Sequence, residues 1–182
     1  MTPIRVGLVT VSDRCSRGET VDTSGPALAA MVEAVFDGRV LATACVPDQK
    51  RTITMQIRNM VTDYPYMDLI LTTGGTGLSP RDVTPEATEE VLERRHPGLM
   101  ELIRLRCYEK TPRTYLSRGV AGTLRHTLII NLPGSERGAT ECLAALEDVL
   151  PHAIETLRGE VVDDGRPEVA VVAEDLAERK TV

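Results

Sequence analysis

The sequence predicts an α/β fold, a largely parallel sheet sandwiched between layers of helices. Three observations lead there. Four short apolar runs recur along the chain, segments with helical periodicity alternate with them, and each run ends in small, turn-forming or acidic residues. Strands that alternate with helices favour parallel pairing, because a parallel crossover has room for a helix that then covers the sheet.

The first run, Ile4 to Val11, is almost continuously apolar, the pattern of a strand buried on both faces. Residues 12–23 are polar and contain glycine, hence a loop. Ser24-Gly25-Pro26 signals a helix start, since proline is tolerated in the first turn, where amide donors lack partners. Leu28, Met31, Val32 and Val35 follow as one apolar helix face. Val40 to Val46 is a second strand ending at Pro47-Asp48, and Ile53, Ile57, Met60 and Val61 form one side of a second helix. Asp68 to Thr73 is a third strand that runs straight into Gly74-Gly75-Thr76-Gly77. Thr84-Pro85 opens the next helix, with Thr84 as its cap and Val91 on its buried side, and Pro97-Gly98 breaks it. Leu99, Leu102 and Ile103 mark the helix that follows. Thr127 to Leu132 is a fourth strand and Pro133-Gly134-Ser135 a turn. Cys142, Leu143, Leu146 and Leu150 face inward on a last helical stretch that Pro151 interrupts or restarts. With no repeat and no long linker, residues 1–158 read as one domain, and residues 159–182 as an acidic tail holding a short apolar run from Val169 to Ala173.

A chain of 182 residues suffices for one sizeable core. At 42% hydrophobic and 26% charged residues it reads as folded rather than disordered. The net charge of −6 points away from nucleic acid and anionic membranes as partners. An anionic substrate would have to be held by local groups against that field. Cys15, Cys45, Cys107 and Cys142 are scattered, as are His96, His126 and His152, so no zinc spacing exists. Reduced thiols, a first strand that leaves no room for a signal peptide, and no membrane-length apolar run predict a cytoplasmic protein.

Ligands of open α/β sheets bind at the carboxyl ends of the strands. Four segments therefore carry the candidates: Ser12-Asp13, Pro47-Asp48, Gly74 to Asp82, and Pro133 to Ser135. Glycines let the backbone approach a ligand, and successive amides in a tight loop make an anion-binding concavity, so Thr72-Thr73-Gly74-Gly75-Thr76-Gly77 suggests a phosphate or similar anion, the alternative being a plain strand-to-helix turn. It lacks the Gly-Lys-Ser/Thr of a Walker A loop and the glycine spacing of a dinucleotide fingerprint. Asp48 and Asp82 make sense beside a phosphate if magnesium lies between, and equally as helix caps or turn formers, Asp48 for a helix starting near Gln49. Ser117-Arg118 offers a hydroxyl and a guanidinium for phosphate, or is a surface turn, and Arg81 is open in the same way.

Thr72 to Gly77, followed by Pro80-Arg81-Asp82-Val83-Thr84-Pro85-Glu86-Ala87-Thr88, resembles the signature of the molybdopterin adenylyltransferase family. The likeness extends to Val9 to Asp13, Val46-Pro47-Asp48, Pro97-Gly98, Leu116-Ser117-Arg118 and Ile130 to Gly134, spanning roughly residues 4–158 in order. The same domain type occurs in gephyrin and the plant cofactor protein. The resemblance implies a three-layer α/β/α sandwich that assembles as a homotrimer. It also implies adenylyl transfer from ATP to the terminal phosphate of molybdopterin, assisted by Mg2+, with a partner protein as the place to look for molybdate insertion. By motif, Asp48 and Asp82 are its catalytic and metal-holding residues. Thr10, Ser12, Asp13, Thr73, Gly74, Gly75, Thr76, Gly77, Ser117, Arg118, Pro133, Gly134 and Ser135 form its substrate site. Ser135 stands where many relatives carry Asn or Gln, and still offers a hydrogen bond. Two rivals go with the resemblance: a trimeric binding or scaffold protein without transferase activity, and the competence-damage-inducible proteins, whose Gly-rich signature is similar and which include nucleotide pyrophosphatases.

Overall fold

A computed structural model describes residues 2–160. Apart from its first two residues, the expected acidic tail, with its apolar run, lies outside them. The chain begins with strand β1 (Ile4–Val11), a single-turn helix α1 (Asp13–Ser16), helix α2 (Ser24–Phe36) and strand β2 (Gly38–Val46). Helix α3 (Lys50–Asp63), strand β3 (Leu69–Thr73), helix α4 (Thr84–Glu89), strand β4 (Arg94–Arg95) and helix α5 (Pro97–Cys107) follow. After a 3-10 turn (Pro112–Leu116) come strands β5 (Ala121–Leu124) and β6 (Thr127–Leu132), and helices α6 (Glu136–Ala144) and α7 (Leu150–Arg158).

The strands form one six-stranded sheet in the order β2-β1-β3-β6-β5-β4. The first four are parallel and the last two join antiparallel. Side chains alternate across a strand, so each buried strand feeds two cores. Val6, Leu8, Leu69, Leu71, Leu128 and Ile130 pack on one face beneath α2, α5, α6 and α7. Val9, Val11, Ile70 and Ile129 pack on the other beneath α3 and α4. That is a three-layer α/β/α sandwich, as expected, and the near-continuous apolar runs are its cause: a strand with helices on both sides has no polar face.

Several details differ from the sequence reading. The 12–23 loop contains α1, capped by Ser12, whose Oγ accepts from the Cys15 amide at 3.2 Å. In α2, Val35 is 40% exposed and Phe36 takes the buried position, so the apolar stripe rotates by one residue at the helix end. Thr84 is not the cap of α4 but its first residue, buried, with Oγ1 donating to the Gly74 carbonyl at 2.8 Å. Val91 is buried but lies beyond the end of that helix. Pro97 opens α5 rather than breaking α4, which has already stopped at Glu89. The short strands β4 and β5 were not expected. A two-residue turn, Arg125-His126, joins β5 to β6, and Arg125 adopts φ 54° without the Asn-Gly chemistry that advertises such hairpins.

A buried polar node locks the sheet to α4. Asn131 donates from Nδ2 to Thr72 Oγ1 and Thr88 Oγ1, both at 2.9 Å, and its Oδ1 accepts from the Val120 amide at 3.1 Å. At the opposite end of the sheet, Asp68 accepts from the Arg5 and Arg158 guanidiniums, tying β3 to β1 and α7.

Candidate active site

β1 has β2 on one side and β3 on the other, and the chain visits β2 first. The strand order therefore reverses between β1 and β3, which opens a crevice at their carboxyl ends, where Val11 and Thr73 lead out of the sheet. The glycine loop fills that position. Gly74 adopts φ 104° and Gly75 φ 62°, a region glycine enters without strain. A Cβ on Gly74 would lie 2.2 Å from the Val11 carbonyl oxygen, and one on Gly75 2.4 Å from Thr84 Oγ1 and 3.0 Å from Asp48 Oδ1. Two glycines here answer to backbone conformation and close approach together. Gly74→Ala should cost about 1–3 kcal/mol from backbone strain alone. Urea denaturation should show a lowered midpoint, and an unchanged midpoint would mean that the loop relaxes around a side chain.

The loop is held from both ends. Gly74 donates to the Leu132 carbonyl at 3.2 Å, the Thr84 amide to the Gly75 carbonyl at 3.1 Å, and the Arg118 amide to the Thr76 carbonyl at 2.8 Å. The Arg118 guanidinium donates to the carbonyls of Gly77 (2.8 Å) and Asp82 (2.6 Å) and pairs with Glu86. Arg118, read from sequence as a phosphate ligand or a turn residue, thus clamps the loop. The amides of Gly75, Thr76 and Gly77 donate to no described protein group, which leaves a run of donors available to an anion.

Asp13 and Asp48 lock the loops after β1 and β2 to each other. The Asp13 amide donates to Asp48 Oδ2 at 2.8 Å, and the Asp48 amide to Asp13 Oδ1 at 3.1 Å. Asp48 is therefore not the cap of α3; that position falls to Gln49, which makes no side-chain cap bond. Burial pushes the Asp48 carboxyl up, and the negative charges of Asp13 and Asp82 push the same way, against its bond from the Asp13 amide and the charge of Arg81. Asp13 also loses hydration, but the Asp48 amide and Arg81 hold it below the usual range. Asp82 Oδ2 accepts from the Ser79 amide at 3.2 Å and would lie 2.8 Å from a Cβ on Gly77. Asp48 and Asp82 thus reach the same loop from two sides and repel one another. That fits a divalent cation held by two carboxylates and completed by substrate phosphates and water, the usual style for magnesium. Among the described residues, no group of three or more candidate ligands offers a site made by protein alone.

Against the loop lies a cleft of about 680 Å³. Of the residues expected at the site, Gly75, Thr76, Gly77, Asp82, Ser117, Pro133, Gly134 and Ser135 line it. The others, Thr10, Ser12, Asp13, Asp48, Thr73, Gly74 and Arg118, do not line it. Thr73 Oγ1 donates to the Pro133 carbonyl (2.6 Å), Thr10 Oγ1 to Asp22 (2.5 Å), and Ser12 caps α1. Ser135 caps α6, accepting from the Gly138 amide at 3.2 Å. The sequence reading missed the wall made by Thr111, Arg113, Thr114 and Leu116, and the floor made by Gly138, Glu141, Cys107 and Cys142. Nothing in their spacing marks these residues; the segment after α5 becomes a wall only through the fold. Burial pushes the Cys142 thiol up to about 12, so this part of the floor stays neutral.

Comparison with known proteins agrees with this architecture. A family model described as "Probable molybdopterin binding domain" matches residues 7–164. The molybdenum cofactor synthesis protein cinnamon of Drosophila melanogaster is 41% identical over 161 residues, which are 88% of this chain but 27% of that protein. A molybdopterin adenylyltransferase of Helicobacter pylori is 37% identical over 160 residues, covering 87% of this chain and 90% of the relative. The solved structure of the molybdopterin biosynthesis enzyme MoaB from Thermus thermophilus superimposes with a TM-score of 0.79 at 49% identity, covering 86% of this chain and 97% of that one. With its glycine loop at the β1/β3 crevice and likeness over most of its length, the chain belongs to the molybdopterin-binding domain family of molybdenum cofactor biosynthesis.

Proposed function

We propose that this protein binds molybdopterin and ATP and transfers the adenylyl group to the terminal phosphate of molybdopterin. The observation that carries the reading is the glycine loop, three of whose amides meet no described partner, flanked by the mutually repelling Asp48 and Asp82. Full-length similarity to molybdopterin adenylyltransferases supports it.

A terminal phosphate oxygen of molybdopterin forms a bond to the α-phosphorus of ATP, the bond from that phosphorus to the bridging β-oxygen breaks, and pyrophosphate leaves. The nucleophile is already anionic near neutral pH, so no strong general base is required. The chain's task is to hold two anions in line and offset the charge gathering at phosphorus. Gly75 to Gly77 would donate amides to phosphate oxygens, and Ser117 and Ser135 would orient the pterin substrate in the cleft. Asp48 and Asp82 would hold magnesium, which when bound supplies positive charge to the phosphates.

All four cysteines are free, in keeping with a cytoplasmic setting. The homotrimer that the family resemblance implies would need an interface, and an apolar surface lies beside the cleft. There, exposed Tyr108 and Tyr115 meet edge to face with centroids 5.6 Å apart, next to exposed Leu105 and Leu116.

The test is incubation with molybdopterin and Mg-ATP, followed by chromatography and mass analysis for adenylylated molybdopterin and pyrophosphate. Product establishes the reaction. Tight molybdopterin binding without product would move the chain to the scaffold reading, and hydrolysis of ADP-ribose supplied alone would move it to the pyrophosphatase reading.

A further inference from the structure

The cleft poses a charge problem. Asp82 and Glu141 line it, the chain as a whole carries −6, and the proposed substrates are polyanions. The arginines around it are engaged. Arg118 is bound to Gly77, Asp82 and Glu86, Arg81 to Asp13, and Arg137 to Glu141. Arg104 donates to the carbonyls of Ser117 and Gly119 at 3.3 and 3.4 Å.

Arg113 differs from all of these. It lines the cleft and is the only cationic side chain that does so among the described residues. It is exposed and makes no hydrogen bond or ion pair with a described residue. Its backbone is nonetheless fixed. It sits in the Pro112–Leu116 turn next to Thr114, which is 8% exposed and whose amide donates to Thr111 at 2.9 Å. A planar guanidinium on a held backbone, with its donors unspent, suits bidentate recognition of a phosphate dianion.

We propose that Arg113 is the cleft's phosphate-charge ligand, binding a phosphate dianion of the substrate that the Gly75–Gly77 amides also face. This rests on the functional reading above and adds to it the group that overcomes the unfavourable charge of the cleft. The dianion belongs either to molybdopterin or to ATP, and the experiment separates the two.

Arg113→Ala and Arg113→Lys would be compared with the wild type in steady-state turnover, each substrate varied in turn, and in calorimetric binding of molybdopterin and, separately, of Mg-ATP. For Arg113→Ala, the expected result is a KM and a Kd raised on the order of 10-fold or more for one substrate, with kcat little changed. A change for molybdopterin assigns the dianion to the pterin, and a change for ATP to the nucleotide. Arg113→Lys should recover part of the affinity, and Arg113→Ala should weaken its dependence on salt, neither of which follows from a merely structural role. Unchanged affinity for both substrates would overturn the proposal. If the wild type binds but turns nothing over, the transferase reading fails, while the calorimetric comparison still decides the role of Arg113.

Discussion

Asp48→Asn is expected to lower adenylyl transfer on the order of 100-fold or more while leaving the protein folded. The asparagine Oδ1 can still accept from the Asp13 amide, now 2.8 Å from Asp48 Oδ2, so the lock between the loops after β1 and β2 survives. What disappears is the negative charge next to Gly75. Stability provides the internal control. The Asp48 carboxyl is pushed up by burial and by the charges of Asp13 and Asp82, so its ionised form is disfavoured in the folded state. A carboxyl raised on folding stabilises the protein when protonated, and that contribution is lost as pH rises through its folded value. At neutral pH the neutral asparagine should therefore melt at or above the wild-type temperature. Asp82→Asn should show the same loss of turnover, with a higher magnesium concentration needed for half-maximal rate. Full turnover in either variant with unchanged magnesium dependence would remove these aspartates from the mechanism. A collapse of the fold in Asp48→Asn would make Asp48 a structural residue.

The largest stability effect is expected far from the cleft, at Asp68. This carboxylate is 4% exposed and accepts from Arg5 Nε (2.8 Å), Arg5 Nη2 (2.8 Å), Arg158 Nε (2.9 Å), Arg158 Nη2 (2.6 Å) and the Arg5 amide (2.8 Å). Arg158 is itself 9% exposed and also donates to the carbonyls of Thr2 (3.0 Å) and Pro3 (2.9 Å). Asp68→Ala would take the shared carboxylate from the part-exposed Arg5 and the mostly buried Arg158, leaving Arg158 only the more distant Glu160 at 3.6 Å. Breaking a buried pair by removing one partner costs about 3–5 kcal/mol. For a domain of this size that corresponds to a Tm lowered by roughly 10 °C. The effect should depend on pH in a defined direction. Burial opposes ionisation of Asp68, but the guanidiniums of Arg158 and Arg5 overcome it and hold the carboxyl well below the usual range. A carboxyl lowered on folding contributes its full stability above its unfolded value, about 4, and loses it as pH falls towards the folded value. The gap in Tm between wild type and variant should thus be constant from neutral pH down to about 5 and narrow below about 4. A gap that is small at pH 7, or that widens in acid, would show that the cluster contributes packing rather than charge pairing.

The sequence was sufficient for the strands covered on both faces and for the backbone of the glycine loop. Ile4–Val11, Leu69–Thr73 and Thr127–Leu132 were legible as strands because a strand covered on both faces must be apolar at nearly every position. Gly74 and Gly75 were legible because positive φ and close approach leave no other residue cheap. Strands β4 and β5 were not. Arg94-Arg95 is polar, Ala121–Leu124 is short, and their pairing depends on β6, which either could reach only after the chain had folded. Polar roles divided the same way. Sequence could offer Asp48 as a cap or as a site residue; its bond from the Asp13 amide removes the cap and leaves the site role as the proposal above. Sequence offered Arg118 as a guanidinium for phosphate or as a turn residue. The tertiary structure engages Arg118 with Gly77, Asp82 and Glu86 and leaves Arg113 in the cleft with no partner among the described residues. Hydrophobic pattern is a local property of the chain. The partner of a polar group is chosen among residues distant in sequence, and only the folded arrangement brings those within a hydrogen bond.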